Sequence, residues 1–341
     1  MRYIGGKSLL LDNINAVIAE NADDATSVLD IFAGSTIVSD NFKKKGFTTL
    51  SNDFLFFSYV IQRGTIALNK KPTFADLEIA DPISYLNNLT IADTDRSIEQ
   101  CFIYNNYSPV GECQRMYFQP DNALKIDIIR LTIENWYVNK KLTDDEYFYL
   151  LSCLINAVPF ISNITGIYAA YLKHWDIRTY NALELKEPEL FDNGKINICY
   201  NKDYTELLSS EVDILYADPP YNSREYLPNY HLLETIARYD YPAIKGVTGM
   251  RDYTAQKSVF CKKATVEAAF EQLIRDAAAK YILISYNNES LLPTEKLCEI
   301  CRTYAVGDSF KLYEYDYRRY KNKIPNNTEG LKEQLYFLRR H

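Results

Sequence analysis

Asp218-Pro219-Pro220-Tyr221 is the run in this 341-residue sequence with the most specific chemistry. An amino group on an aromatic ring is a poor nucleophile, because its lone pair is delocalised into the ring. Two acceptors that take both N–H groups draw the nitrogen toward tetrahedral geometry and aim the lone pair at an incoming methyl group. The Asp218 carboxylate and the Pro219 carbonyl supply two such acceptors, since consecutive prolines restrict the turn. Tyr221 adds a flat face on which an extruded base can stack. Methyl transfer of this kind is direct displacement and calls for no metal. Taken alone, the four residues read equally as a strand-ending turn with a capping aspartate.

The elements around them favour the first reading. Residues 212 to 217 form a short apolar run, predicted as a central strand, with the tetrad at its carboxyl end, where open α/β sheets place their ligands. Residues 8 to 21 have helical spacing. Residues 27 to 32 read as a buried strand ending in a Gly/Ser/Thr turn, followed by a helix carrying Lys43, Lys44 and Lys45. A second strand at 48 to 51 ends at Asn52-Asp53, and a helix spans 55 to 68. This order begins a right-handed parallel α/β sheet. It breaks off near residue 70 into an aromatic-rich stretch with helical period at 123 to 136 and 144 to 157. Strands resume at 196 to 200, 212 to 217 and 281 to 286, and 310 to 317 with 334 to 338 read as a closing antiparallel pair. The simplest architecture is one doubly wound α/β domain with a second domain inserted near 70 to 195.

Other chemistry-bearing residues lie at the predicted strand ends. Asp30-Ile31-Phe32-Ala33-Gly34-Ser35-Thr36 is a turn of small residues that lets backbone approach a ligand. Asp53 follows by about 20 residues, the spacing at which an acid bonds ribose hydroxyls; as the alternative, Asn52-Asp53 caps the next helix. Asp203 follows the strand at 196 to 200 and reads equally as a ligand-side acid or a helix cap. Gly6-Lys7-Ser8 is not the end of a phosphate-binding loop, because the required first glycine falls at Met1 and no strand precedes it. His231 has no acid or cysteine partner within sequence reach. Cys298 and Cys301 form a lone pair with no further zinc ligands beside them, so no metal site is expected.

In chain order, Arg2-Tyr3-Ile4-Gly5-Gly6-Lys7, the Asp30 to Thr36 loop, Asp53, Asp203 and the Asp218 tetrad resemble the Dam-like class of N6-adenine-specific DNA methyltransferases. The likeness, in alpha-type motif order, covers roughly residues 1 to 70 and 195 to 340. Thr36 stands where the family pattern has its last glycine, while Gly34 and Ser35 keep most of the turn's freedom. The resemblance implies a Rossmann-like, S-adenosylmethionine-dependent fold with residues 1–70 and 195–341 as the catalytic domain. It implies that residues 71–194 form an inserted, mainly helical target-recognition domain. S-adenosylmethionine would be the cofactor, with Tyr3 and Lys7 lining its pocket and Lys7 facing the methionine carboxylate. Asp30, Phe32, Ala33, Gly34 and Ser35 would approach it closely, Asp53 would take the ribose, Asp203 the adenine side, and Asp218 would border both ligands. Asn222 to Tyr226 would close over a flipped adenine. The implied partner is double-stranded DNA; the enzyme would be either the modification half of a restriction system, with a cognate restriction endonuclease acting on the same site, or a solitary or phage counterpart.

The net charge of −7 opposes long-range attraction to DNA, so local charge must supply the contacts. Residues 318 to 341 hold seven Lys/Arg against two acids, and Arg318, Arg319, Lys321 and Lys323 are the candidate phosphate contacts there, with Arg2 and Arg224 elsewhere. In the aromatic- and amide-rich insert, Asn163, Thr165 and Lys173 are the candidates for reading base edges. No stretch of eighteen apolar residues and no apolar leader are evident, which leads to an expected cytoplasmic location. Methylation of a cytosine amino group or of an RNA base, and a catalytically silent nucleic-acid-binding protein, are the competing readings; the intact tetrad together with Tyr3, Lys7 and Asp53 weighs against the last.

Overall fold

The computed structural model describes residues 5–110, 112–316 and 330–340. Seven strands build a central sheet: β1 (Ser27–Asp30), β2 (Thr48–Asn52), β3 (Ile198–Tyr200), β4 (Ile214–Ala217), β5 (Tyr281–Asn287), β6 (Lys311–Asp316) and β7 (Lys332–Arg339). Their spatial order is β3-β2-β1-β4-β5-β7-β6. The first five run parallel, and β7 returns antiparallel between β5 and β6. Parallel strands covered on both faces need continuous apolar runs, and β4 is buried at every position. The sequence placed each of these strands, with ends shifted by one or two residues.

Side-chain alternation divides the core. Val28, Ile214, Tyr216 and Leu283 face α1 (Leu11–Asn21) and α2 (Ile37–Lys44), packing on Ile14, Val17, Val38 and Phe42. Leu29, Leu215, Ile282 and Ile284 face the other way, onto Phe270 and Leu273 of α9 (Val266–Asp276) and Leu297 of α10 (Thr294–Tyr304). Cys298 and Cys301 are buried on α10.

A third core lies beside the sheet. It joins α3 (Phe56–Thr65) and α8 (Tyr226–Arg238) to α4 (Pro82–Asn88), α5 (Phe102–Tyr107), α6 (Pro120–Val138) and α7 (Asp144–Ala157). Helix α7 opens on a reciprocal cap, in which Glu146 Oε2 accepts from the Thr143 backbone N–H at 2.9 Å. The contact of α3 with α7 depends on Gly64: an added Cβ there would lie 2.4 Å from Ser152 Cβ. In the segment from 71 to 194, helices α4 to α7 alternate with irregular stretches and short 3-10 turns as far as residue 160. From 161 to 197 it is largely irregular, apart from the single 3-10 turn Ile177–Tyr180. Among the described residues no helix is long and apolar enough to cross a membrane.

Candidate active site

The strand order reverses between β1 and β4, so their carboxyl ends open a crevice. Asp30 ends β1, Asp53 follows β2, and Asp218 follows β4. The crevice is partly open to solvent and holds a cavity of about 150 Å³. Lys7, Asp30, Phe32, Ala33, Gly34, Ser35, Asp53, Asp203, Asp218 and Pro220 all line it. Local rules at separate strand ends therefore converge on one cavity.

Backbone geometry explains the turn after β1. Gly34 has φ +51°; its N–H donates to Asp53 Oδ2 at 2.7 Å, and its carbonyl accepts from Ser58 Oγ at 2.6 Å. Thr36, in the place of the pattern's last glycine, has φ +68°. A β-branched residue in the left-handed region is strained, so the turn retains the shape a glycine would give, at a steric cost.

Electrostatics in the crevice are dominated by acids. Asp30 is fully buried, and burial pushes its carboxyl up to about 7, an effect opposed by the Ser39 hydroxyl and reinforced by the charges of Asp218 and Asp53. Its Oδ2 accepts from Ser39 Oγ at 2.6 Å. Its Oδ1 makes no hydrogen bond of full geometry, although the nearby Phe32 N–H favours the charge. Asp53 is likewise pushed up to about 6 by burial, against the N–H groups of Leu55 and Gly34. Burial also raises Asp218, while Lys7 opposes that shift. Several buried carboxylates with an unfilled acceptor form a site that a cation would relieve.

Lys7 is the principal counter-charge. Its ammonium is 3.2 Å from Asp218 Oδ2, with 5% of the side chain exposed; it donates to the Gly5 carbonyl at 3.0 Å and sits 4.5 Å from the centre of the Tyr221 ring. The resemblance had implied a carboxylate on the cofactor as its partner; here the partner is Asp218. Tyr221 is half-buried and is fixed by its hydroxyl, 3.0 Å from Ser285 Oγ and 3.5 Å from Glu333 Oε2, with its ring edge-on to Tyr286 at 5.0 Å. Pro219 is buried between Asp218 and Pro220. Asp203 caps the turn Tyr204–Leu207, accepting from Thr205 N at 3.0 Å, and so combines the cap with a place on the crevice wall. Asp53 also combines a structural task with its place there: Leu55 N donates to its Oδ1 at 2.8 Å, and the nearby Ser58 hydroxyl also favours its charge.

Three rings, Phe32, Tyr204 and Phe260, make a flat-sided corner of the crevice, with centroids 5.2 to 5.7 Å apart. Sequence reasoning missed Phe260 and the 256 to 260 wall, as well as Glu333 beside Tyr221, because each arrives through a long-range contact; Glu225 and Tyr226, in the loop that the resemblance put over the base, line the crevice. The close approach of Gly5 to Tyr226, where a Cβ would lie 3.1 Å from the hydroxyl, was signalled only by the Gly5-Gly6 pair.

The nucleic-acid candidates divide. Thr165, Lys173 and Arg224 are exposed. Asn163 is a correction: it is fully buried, its Nδ2 donates to the Met116 and Leu172 carbonyls at 2.9 Å each, and its Oδ1 accepts from Asp176 N at 3.0 Å. With those bonds made it braces a buried loop and cannot reach a base edge. Arg2, Tyr3, Arg318, Arg319, Lys321 and Lys323 lie outside the described residues. His231 is buried, and burial lowers its imidazole to about 4; its Nε2 lies 2.9 Å from the Tyr168 carbonyl. Among the described residues no group of three or more His, Cys, Asp or Glu side chains is arranged to hold a metal ion.

A mainly parallel α/β sheet with an acid-lined crevice at its reversal point accords with what comparison with known families finds. The profile of the D12 class N6 adenine-specific DNA methyltransferases matches residues 3–300, and the chain belongs to that family. Among curated relatives it is 44% identical to type II methyltransferase M.FokI of Planomicrobium okeanokoites, over 100% of this chain and 53% of that protein. It is 42% identical to modification methylase StsI of Streptococcus sanguinis, over 100% and 52% respectively. Type II methyltransferase M.NlaIII of Neisseria lactamica is 35% identical over 99% of this chain and 98% of its own length. The chain thus spans about half the length of the first two relatives and nearly all of the third.

Proposed function

We propose that this chain transfers a methyl group from S-adenosylmethionine to the N6 amino group of an adenine flipped out of double-stranded DNA. The observation that carries the reading is the meeting of Asp218, Lys7 and the Asp30 to Ser35 turn in one crevice. The curated relatives are named as type II methyltransferases and modification methylases, which supports a place in a restriction-modification system with an endonuclease acting on the same site.

The crevice suits such a cofactor. Asp30, with an unfilled acceptor, and Asp53 would hold a cationic ligand and its ribose, Phe32, Tyr204 and Phe260 would flank its adenine, and Lys7 would take its carboxylate. When bound, S-adenosylmethionine supplies an electrophilic methyl group on a sulfonium. The protein's own part is positioning. Asp218 and the Pro219 carbonyl accept the two amine hydrogens, Tyr221 stacks on the base, and Ser285 with Glu333 fixes the plane of that ring. As the nitrogen–carbon bond forms and the sulfur–carbon bond breaks, the amine sheds one proton; burial, which raises the proton affinity of Asp218, suits its carboxylate to receive it. Residues 1–70 and 195–341 act as the catalytic part, Rossmann-like in design, and 71–194 reads the target with Thr165 and Lys173 as contacts.

The test is transfer of labelled methyl to duplex DNA, with sequencing for the modified base. N6-methyladenine with the wild-type chain, lost in Asp218→Ala while cofactor binding persists, is the expected outcome. Label on cytosine, or equal loss of cofactor binding and transfer, would overturn the assignment.

A further inference from the structure

No sequence motif marked the stretch from 253 to 263, of which residues 256 to 260 form a wall of the crevice. Three contacts hold it in place. The Ser258 N–H donates to Glu225 Oε2 at 2.9 Å, Cys261 Sγ lies 3.6 Å from the Arg224 carbonyl, and Gln256 Nε2 donates to Glu234 Oε1 at 2.9 Å. Phe260 anchors the stretch beneath, its ring 5.4 Å from Phe32 and 5.1 Å from Phe270. The wall is therefore fixed both to the loop after the tetrad and to the cofactor side.

Its outer surface is cationic. Lys257, Lys262 and Lys263 are exposed, and residues 253 to 266 contain no acid. Arg224, on the adjoining loop, is exposed as well. The salt bridges among the described residues all use other cations; Lys257 leans over the Tyr253 ring at 5.8 Å. None of these four cations makes an ion pair among the described residues, and the acids flanking the stretch, Asp252 and Glu267, are exposed, so on a chain of net charge −7 the four are free to supply a local patch that attracts an anion. Lys262 and Lys263 stand outside the crevice lining, so the anion extends beyond a small molecule bound within.

We propose that Lys257, Lys262 and Lys263, together with Arg224, grip backbone phosphates of the DNA at the mouth of the crevice. The inference rests on the DNA methyltransferase reading and adds to it where the strand is held: on the wall that joins the tetrad loop to the cofactor side. Phosphates gripped there would fix the sugar-phosphate chain on either side of an extruded nucleotide, while the acids within take the cofactor. Each lysine that neutralises one phosphate contributes about 0.9 to the slope of log affinity against log salt.

The experiment is a salt titration of duplex-DNA binding by fluorescence anisotropy, with the Lys262→Gln/Lys263→Gln variant beside the wild type and a Lys44→Gln/Lys45→Gln control at the exposed C-terminal end of α2. Cofactor affinity and thermal melting are measured on the same samples. The expected result is a slope flatter by about 1.8 for the first variant, so that raising salt from 50 to 200 mM costs it about twelvefold less affinity than it costs the wild type. The control slope and cofactor affinity should match the wild type. A wild-type slope in the first variant, with wild-type melting, overturns the phosphate grip while leaving the methyltransferase reading intact. Absence of salt-dependent DNA binding by the wild type overturns both. Lys257→Gln is scored separately: a loss confined to cofactor affinity removes Lys257 from the grip.

Discussion

Asp30 offers a sharp test of the idea that the crevice keeps buried charge in store for a cation. In the unfolded chain its carboxyl ionises near 3.8, whereas burial holds it protonated up to about 7 in the folded protein. The folded state therefore binds this proton more tightly, and the stability so contributed is complete below pH 4 and lost as pH rises toward 7. At about 1.4 kcal/mol per pH unit the ionised form costs about 4 kcal/mol. Replacing Asp30 with Asn removes a group that titrates. The asparagine oxygen can still accept from Ser39, and its amide nitrogen brings an unpaired donor whose cost does not vary with pH. Relative to wild type, Asp30→Asn should therefore gain roughly 2.5 kcal/mol of stability between pH 5 and pH 8, whatever its fixed offset. Urea denaturation of both proteins at the two pH values measures this difference. Parallel stability curves would refute the account and place the carboxylate in contact with water.

The same store of charge should show in binding. Affinity for S-adenosylmethionine is expected to fall between pH 8 and pH 5.5 as Asp30 and Asp53 take up protons, with a smaller fall for S-adenosylhomocysteine, whose sulfur is uncharged; equal falls by calorimetry would separate the acids from the sulfur. Gly64→Ala should lose about 3 kcal/mol in chemical denaturation, at the upper end for overpacking, because the new methyl meets both Ser152 and the Phe148 carbonyl at a helix crossing; near-neutral stability would mean that α3 and α7 separate easily. Asn163→Ala should lose about 3 kcal/mol, one for each bond broken, while the exposed Thr165→Ala melts like the wild type; the reverse pattern would return Asn163 to the surface.

What the sequence revealed and what it hid follow one physical divide. Buried parallel strands show as unbroken apolar runs, and an acid after such a run falls at a sheet end by chain geometry alone, so Asp30, Asp53 and Asp218 could be placed without knowing their neighbours. Glu333 and Phe260 could not: Glu333 meets the Tyr221 hydroxyl only because β7 pairs with β5, and Phe260 reaches the crevice only because the wall folds back on Phe32. Asn163 misled because an amide in a small-residue stretch resembles a surface contact, yet an irregular loop that is buried must satisfy its backbone groups, and an amide does so well. Nor could helical spacing in α3, α6, α7 and α8 show that all four share one core, since an apolar stripe looks the same whichever partner covers it.

That shared core bears on how reading and chemistry could be joined. Helix α8 begins five residues after Tyr221, and its buried Glu234 accepts from Phe56 N at 3.2 Å and Phe57 N at 2.9 Å, the first amides of α3. Since α3 starts three residues after Asp53, this glutamate ties the acid at the end of β2 to the helix behind the tetrad loop. Further along, the Asn229 carbonyl accepts from Tyr168 N at 2.8 Å and His231 Nε2 meets the Tyr168 carbonyl, which fixes the loop that exposes Thr165 and Lys173. One helix thus touches the cofactor side, the catalytic loop and the candidate reading loop, through buried hydrogen bonds whose loss would leave unpaired groups. Misplacing a reacting atom by about 1 Å can cost a hundredfold in rate. A continuous core between recognition and transfer is a way to keep that error small once a base has been accepted.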